Sequence, residues 1–154
     1  MSLFVECKPD ETLACAIGIP RRDIEHALGK ARVCAQLEKR TNVLGMVDED
    51  PGSAAHSYTK SLVEQSWGHD IREMTDKARN NRVIVLSPRL EEWLVQSSKG
   101  SGLKMTDFGF ESDNGLQLHA EINQRLENLQ RLVDALIEAK SQRVLRLQAL
   151  LMKK

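Results

Sequence analysis

The stretch Asn42–Asp48, reading NVLGMVD, restricts the fold more than any other part of the chain. Its interior is apolar throughout, with no alternation between polar and apolar positions. A strand of that kind is covered on both faces. It belongs inside a parallel sheet flanked by helices, not in a one-sided antiparallel sheet. The run stops abruptly at Asp48-Glu49-Asp50 and Pro51-Gly52, so the strand ends where the acids begin.

Neighbours for this strand can be read on both sides. Residues 3–6 (LFVE) form a short buried strand. Glu11 to Ile17 read as a helix, with Asp10 as N-cap and Gly18 as its stop. Ile24–Leu28 are a second strand, Gly29-Lys30 a turn, and residues 31–40 a helix with Val33, Cys34 and Leu37 on one face. A short helix is expected over Thr59–Gln65. Ile71–Asp76 and Arg82–Leu86 pair as an antiparallel hairpin across Asn80-Asn81. Ser87 as N-cap and Pro88 at the first position open a helix to about Gln96. Further on, Leu118, Ile122, Leu126, Leu129, Val133 and Leu136 recur at spacings of four and three, which is an amphipathic helical pattern. The expected architecture is α/β: a Rossmann-type, mainly parallel sheet of about four strands flanked by helices. It spans residues 1–97, followed by a loop over 98–117. A C-terminal amphipathic extension over 118–154 packs on the domain or on a partner.

With 154 residues, 41% hydrophobic and 29% charged, the chain suits one soluble domain. Lys plus Arg balance Asp plus Glu at 22 each, so any attraction to nucleic acid must come from a local patch. The three cysteines form no Cys-x-x-Cys pair, which fits reduced thiols and a cytoplasmic setting. Neither a signal peptide nor an apolar run approaching the ~18 residues of a membrane span is expected.

Two of the strongest strands end in carboxylates, the first at Glu6 and the third at Asp48-Glu49-Asp50. Function in parallel sheets gathers at the carboxyl ends of strands. Residues two apart in extended chain point the same way, so Asp48 and Asp50 converge, joined by Glu6 if the two strands are neighbours. A hard cation relieves the repulsion among such groups. Oxygen-only ligation favours Mg²⁺ or Mn²⁺ over zinc.

Phe4-Val5-Glu6-Cys7-Lys8-Pro9-Asp10 and Val43-Leu44-Gly45-Met46-Val47-Asp48-Glu49-Asp50, one helix–strand–helix apart, resemble the Toprim family. This domain is shared by topoisomerases, bacterial primases, small ribosomal-RNA maturases, recombination mediators and overcoming-lysogenization-defect nucleases. The resemblance covers roughly residues 3–95. It implies that Glu6, Asp48 and Asp50 are catalytic and metal-ligating, with Glu6 an acid–base group and Glu91 or Glu92 supporting a second ion. Cys7 departs from the family's usual glycine and narrows the approach of a phosphate to the backbone. Tyr58 is the only tyrosine in the sequence, no zinc spacing occurs in it, and a second domain carrying another tyrosine is not expected. These absences point away from topoisomerases, primases and mediators. The expectation is a Mg²⁺-dependent nuclease. Its alternative is a non-catalytic module that binds nucleic acid or protein, working with a partner ATPase.

Lys8, Lys30, Arg32 and Arg89 are the candidate nucleic-acid contacts, and His26 the histidine nearest the expected metal edge. Trp67 and Trp93 read as core anchors. The C-terminal segment carries Lys140, Arg143, Arg146, Lys153 and Lys154 without an acid after Lys140. It would either touch phosphates or complement a helix dipole. A homodimer through the C-terminal helix is a further expectation.

Overall fold

The computed structural model describes residues 1–54 and 56–153. Its elements are β1 (Leu3–Val5), α1 (Lys8–Ala16), β2 (Ile24–His26), α2 (Lys30–Lys39), β3 (Leu44–Asp48), α3 (Ser57–Lys60), β4 (Val63–Gly68), β5 (Ile71–Asp76), β6 (Asn81–Leu86) and α4 (Leu90–Gly100). The C-terminal part holds α5 (Gly115–Gln124), α6 (Leu126–Glu138) and α7 (Gln142–Met152). One six-stranded sheet runs in the order β2-β1-β3-β6-β5-β4. β2, β1, β3 and β6 are parallel, while β5 and β4 are antiparallel to their neighbours.

Six strands stand where about four were expected; five of them lie on segments the sequence marks as strands, and the sixth, at the edge, is β4. Residues 61–65 were expected to finish a helix. They instead leave α3 and pair with β5, from Val63 opposite Thr75 to Gly68 opposite Ile71. Trp67 and Val63 suit a strand, and tertiary pairing overrides the weak helical pattern there.

Alternation along each strand divides the core. Leu3, Val5, Leu44, Met46, Ile84 and Leu86 face the larger layer, where α1, α4, α5, α6 and α7 contribute Leu13, Trp93, Leu94, Ile122, Leu132 and Leu147. Phe4, Val47 and Val83 face the smaller layer with Val33, Cys34 and Leu37 of α2 and Tyr58 of α3. Gly45 belongs to that layer because a Cβ there would stand 2.8 Å from a Leu37 methyl.

The C-terminal extension is three helices, and the expected loop is shorter than residues 98–117. α4 runs on to Gly100, with Ser97 and Ser98 buried, and α5 begins at Gly115. Leu118, Ile122, Leu129, Val133 and Leu136 are fully buried within this chain. The stripe that suggested pairing with a second copy is therefore covered internally. Among the basic residues, Arg143 stacks on Trp93 and binds Asp70 (2.8 Å), and Arg146 donates to Ser66 (2.8 Å). They fasten α7 to the sheet instead of lining a surface. Lys154 lies outside the described residues. No helix among the described residues is long and apolar enough to cross a membrane.

Candidate functional site

β1 and β3 lie side by side, Val5 opposite Met46. The chain leaving β1 runs through α1 to β2 on one side. The chain leaving β3 runs toward β6 on the other. Such a reversal opens a crevice beyond the strand ends. Glu6 follows β1 directly and Asp48 is the last residue of β3, so both acids stand at that crevice. The Asp48 backbone N–H donates to Glu6 Oε2 (2.6 Å), and Asp48 Oδ1 accepts from the Leu90 N–H (3.1 Å) at the start of α4.

That second bond corrects the expected helix start. Asp48 satisfies an N–H in the first turn of α4, whose N-cap is Arg89. Ser87 is buried in the preceding turn and donates its hydroxyl to Glu49 Oε2 (2.6 Å). A parallel correction applies at α1. The N-cap is Cys7, not Asp10. Asp10 sits at the third helical position and accepts from both the Cys7 N–H (3.2 Å) and the Cys7 thiol (3.0 Å). Gly18, just beyond the end of α1, has φ +112° and is the stop the sequence suggested.

Asp10 and Glu91 complete the acidic group. Asp10 is 2% exposed and Glu91 6%. Glu91 Oε1 lies 2.6 Å from His119 Nδ1 on α5, and the Asn123 side-chain amide lies 3.3 Å from His119 Nε2. Two clefts flank the cluster, of about 490 and 650 Å³, and Glu6, Asp48, Glu91 and His119 line both. Lys8, His26 and Asn123 belong to the first cleft, and Lys30, Asp50 and Arg89 to the second.

Crowding shows in the acidities. Burial pushes the Asp48 carboxyl up to about 9, aided by the charges of Asp10, Glu6 and Glu91. Burial likewise raises Asp10. It raises Glu6 too, although the Asp48 N–H and Lys30 pull that carboxyl down. These protons belong to the cluster as a whole. The Cys7 thiol is raised by burial and by Asp10, so it is a protonated hydrogen-bond donor and not a nucleophile.

Asp50 departs from the extended-chain argument. β3 ends at Asp48, and Asp50 takes a left-handed φ of +47°. Its carboxylate pairs with Arg89 Nε (3.2 Å). It still lines the second cleft and its charge is felt at Glu6. Glu92 lines neither cleft. It pairs with Arg89 (2.8 Å) and lies against Gly115. Arg32 is exposed on α2 and also lines neither. Lys30 donates to the Glu49 carbonyl (2.8 Å) at the second cleft.

The donor set suits a hard divalent ion: carboxylate oxygens of the half-buried Glu6 and Asp48 beside the buried Asp10 and Glu91. Glu6 and Asp48 each keep a second oxygen that no described residue hydrogen-bonds. No three His, Cys, Asp or Glu side chains among the described residues are already closed around one point, and Asp50 would have to leave Arg89 to join. The sequence suggests Asp10 as the N-cap; its place three residues after Cys7 is the signal that could have marked it as the capping-box acid. His119 carried no local signal, because α5 brings it across 28 positions to Glu91. Comparison with protein-family models, with curated proteins and with solved structures gave no match to this chain.

Proposed function

We propose that this chain is a Toprim-type phosphodiesterase that cleaves nucleic acid with Mg²⁺ or Mn²⁺, acting as an endonuclease. One observation supports the reading above the others. Glu6 and Asp48 meet at the crevice between β1 and β3, half-buried, the Asp48 N–H donating to the Glu6 carboxylate, with both carboxyls raised by burial and by neighbouring acids. Glu6, Asp48 and Asp50 would hold the ion. When bound, it would position a phosphodiester and stabilise charge on its oxygens.

The protein's own groups have separate tasks. Lys30 and Arg89 present cations to a phosphate entering the second cleft. Glu91 fixes the His119 ring through Nδ1 and leaves Nε2 toward Asn123. Lys8 stands on the rim of the first cleft.

Calorimetric titration of Mn²⁺ and Mg²⁺ into the wild type and into Asp48→Ala/Asp50→Ala tests the site. Micromolar-to-millimolar binding that vanishes in the double variant is expected, together with metal-dependent cleavage that Asp48→Ala abolishes. Cleavage by Asp48→Ala at the wild-type rate would refute the reading. A second reading draws on Cys7, whose thiol closes onto Asp10 (3.0 Å) where a glycine would leave the backbone open. It is a non-catalytic module working beside a partner ATPase, and its signature is metal binding without cleavage of any substrate.

A further inference from the structure

The two faces of the sheet are covered unequally. Among the described residues, five helices cover the larger layer, but only α2 and the single turn of α3 lie on the other face. The β5 and β4 end of that second face stays open. Register places Trp67 opposite Arg72, Arg72 opposite Val85, and Val85 opposite Val47. These four residues form one row straight across four strands. At about 4.8 Å per strand the row spans roughly 14 Å. Its inner end, Val47, is the residue before Asp48.

Trp67 is the anomaly in that row. Six aromatic side chains occur in the chain. Trp67 is the one that stands exposed, at 49%, where the sequence suggested a core anchor. The Arg72 guanidinium lies 4.7 Å from its ring centre, held there by Glu64 (3.0 Å) and more loosely by Glu49 (3.7 Å). The result is a fixed cation–aromatic stack with indole surface open to solvent.

Beside it runs a groove of about 260 Å³ floored by Val47, Leu62, Met74 and Val85 and flanked by Lys30 and Lys60. Glu49 and Glu64 are engaged by Arg72. The two lysines have no carboxylate partner among the described residues, so the groove is net cationic. Lys30 also lines the second carboxylate cleft. Groove and cleft therefore share a wall, and a chain leaving one enters the other past an ammonium group.

We propose that this row is a base-stacking track for single-stranded nucleic acid. A base stacks on Trp67, the phosphates follow Lys60 and Lys30, and the strand continues toward Asp48. Aromatic stacking beside a cationic groove is the sequence-tolerant way of holding single strands, and open sheet faces serve it in other folds. The track supplies the substrate class for the proposed cleavage, yet it requires no metal ion.

The test is tryptophan fluorescence without divalent metal, titrating short deoxythymidine and uridine oligonucleotides into the whole protein. Trp93 is fully buried, so quenching reports Trp67. Quenching by either oligonucleotide is expected, the ratio of the two affinities naming the preferred sugar. With binding of the variants read by the anisotropy of a dye-labelled oligonucleotide, since the Trp67 variants lack the reporting indole, Trp67→Ala should weaken binding about ten- to a hundred-fold, Trp67→Phe should keep most of it, and Lys60→Ala should lower the slope of affinity against salt by about one ion. Circular dichroism checks that each variant is folded. Trp67 lines neither carboxylate cleft, so Trp67→Ala should bind Mn²⁺ as tightly as the wild type, which separates this surface from the metal reading. Absence of quenching with both oligonucleotides, or equal binding by folded Trp67→Ala, overturns the proposal. Trp67 emission that responds to protein concentration and not to oligonucleotide would overturn it in favour of a protein interface.

Discussion

Replacing Asp48 with Asn removes an ionisable group from the middle of the carboxylate cluster and keeps an oxygen for the Leu90 N–H. The folded-state pKa of Asp48 is raised by burial first, then by Asp10, Glu6 and Glu91, from the ordinary 3.8 to about 9. A raised folded pKa contributes stability that is complete below the unfolded value and is lost as pH rises toward the folded one. Between those limits the folded state retains a proton that the unfolded chain releases. Stability then falls by up to about 1.4 kcal/mol per pH unit. From about pH 5 to pH 7 the wild type should lose about 1–3 kcal/mol through this site, the lower figure allowing for relaxation of the cluster. Asp48→Asn carries no such proton. Urea unfolding in EDTA across that range should give a flatter pH dependence for the variant and greater stability than wild type at pH 7. Saturating Mg²⁺ should reverse the order, since a ligand at a hundred times its Kd adds about 2.7 kcal/mol to a protein that binds it. Parallel pH slopes for the two proteins, or a variant less stable than wild type at pH 7 in EDTA, would refute the electrostatic account of the cluster.

Two substitutions test the frame that holds the cluster in place. Gly45→Ala drives a methyl to 2.8 Å from a Leu37 methyl and 3.3 Å from Val33, so the Leu37 side chain, or α2 with it, must give way. A loss of about 1–3 kcal/mol in urea unfolding is expected, and no loss would mean that the α2 side chains are loosely held. Asn81 is 1% exposed and binds the Leu37 and Arg40 carbonyls (2.8 and 3.0 Å) and the Val43 N–H (3.1 Å). Asn81→Ala takes the side-chain partner from the Arg40 carbonyl and the Val43 N–H, while the Leu37 carbonyl keeps the Arg40 N–H, and should cost about 2–4 kcal/mol, with the Thr41–Val43 amides losing hydrogen-exchange protection first.

The amino-acid sequence alone determines the parallel half of this protein. An apolar run without alternation, bounded by Asp48 and Pro51-Gly52, is stable only when covered on both faces, and β3 occupies that position between β1 and β6. Glu6 and Asp48 follow from the same reasoning, because a charged residue at the end of a buried strand has nowhere to go but the crevice. The antiparallel hairpin and the helical period after Leu118 are also local properties and were legible.

Tertiary structure decided the rest, for reasons that spacing cannot encode. Residues 63–65 joined a strand because β5 offered a paired edge, which outweighs a weak helical pattern. Trp67 came to the surface because β4 is the last strand and α2 and α3 cover the other end of that face. Asp50 turned to Arg89 because β3 ends two residues earlier and the chain bends. His119 met Glu91 only because α5 packs against α4, closing a gap of 28 residues with a 2.6 Å contact. Local periodicity records which side of an element is apolar, whereas these outcomes depend on what stands opposite it, which is set only once the distant parts of the chain have packed.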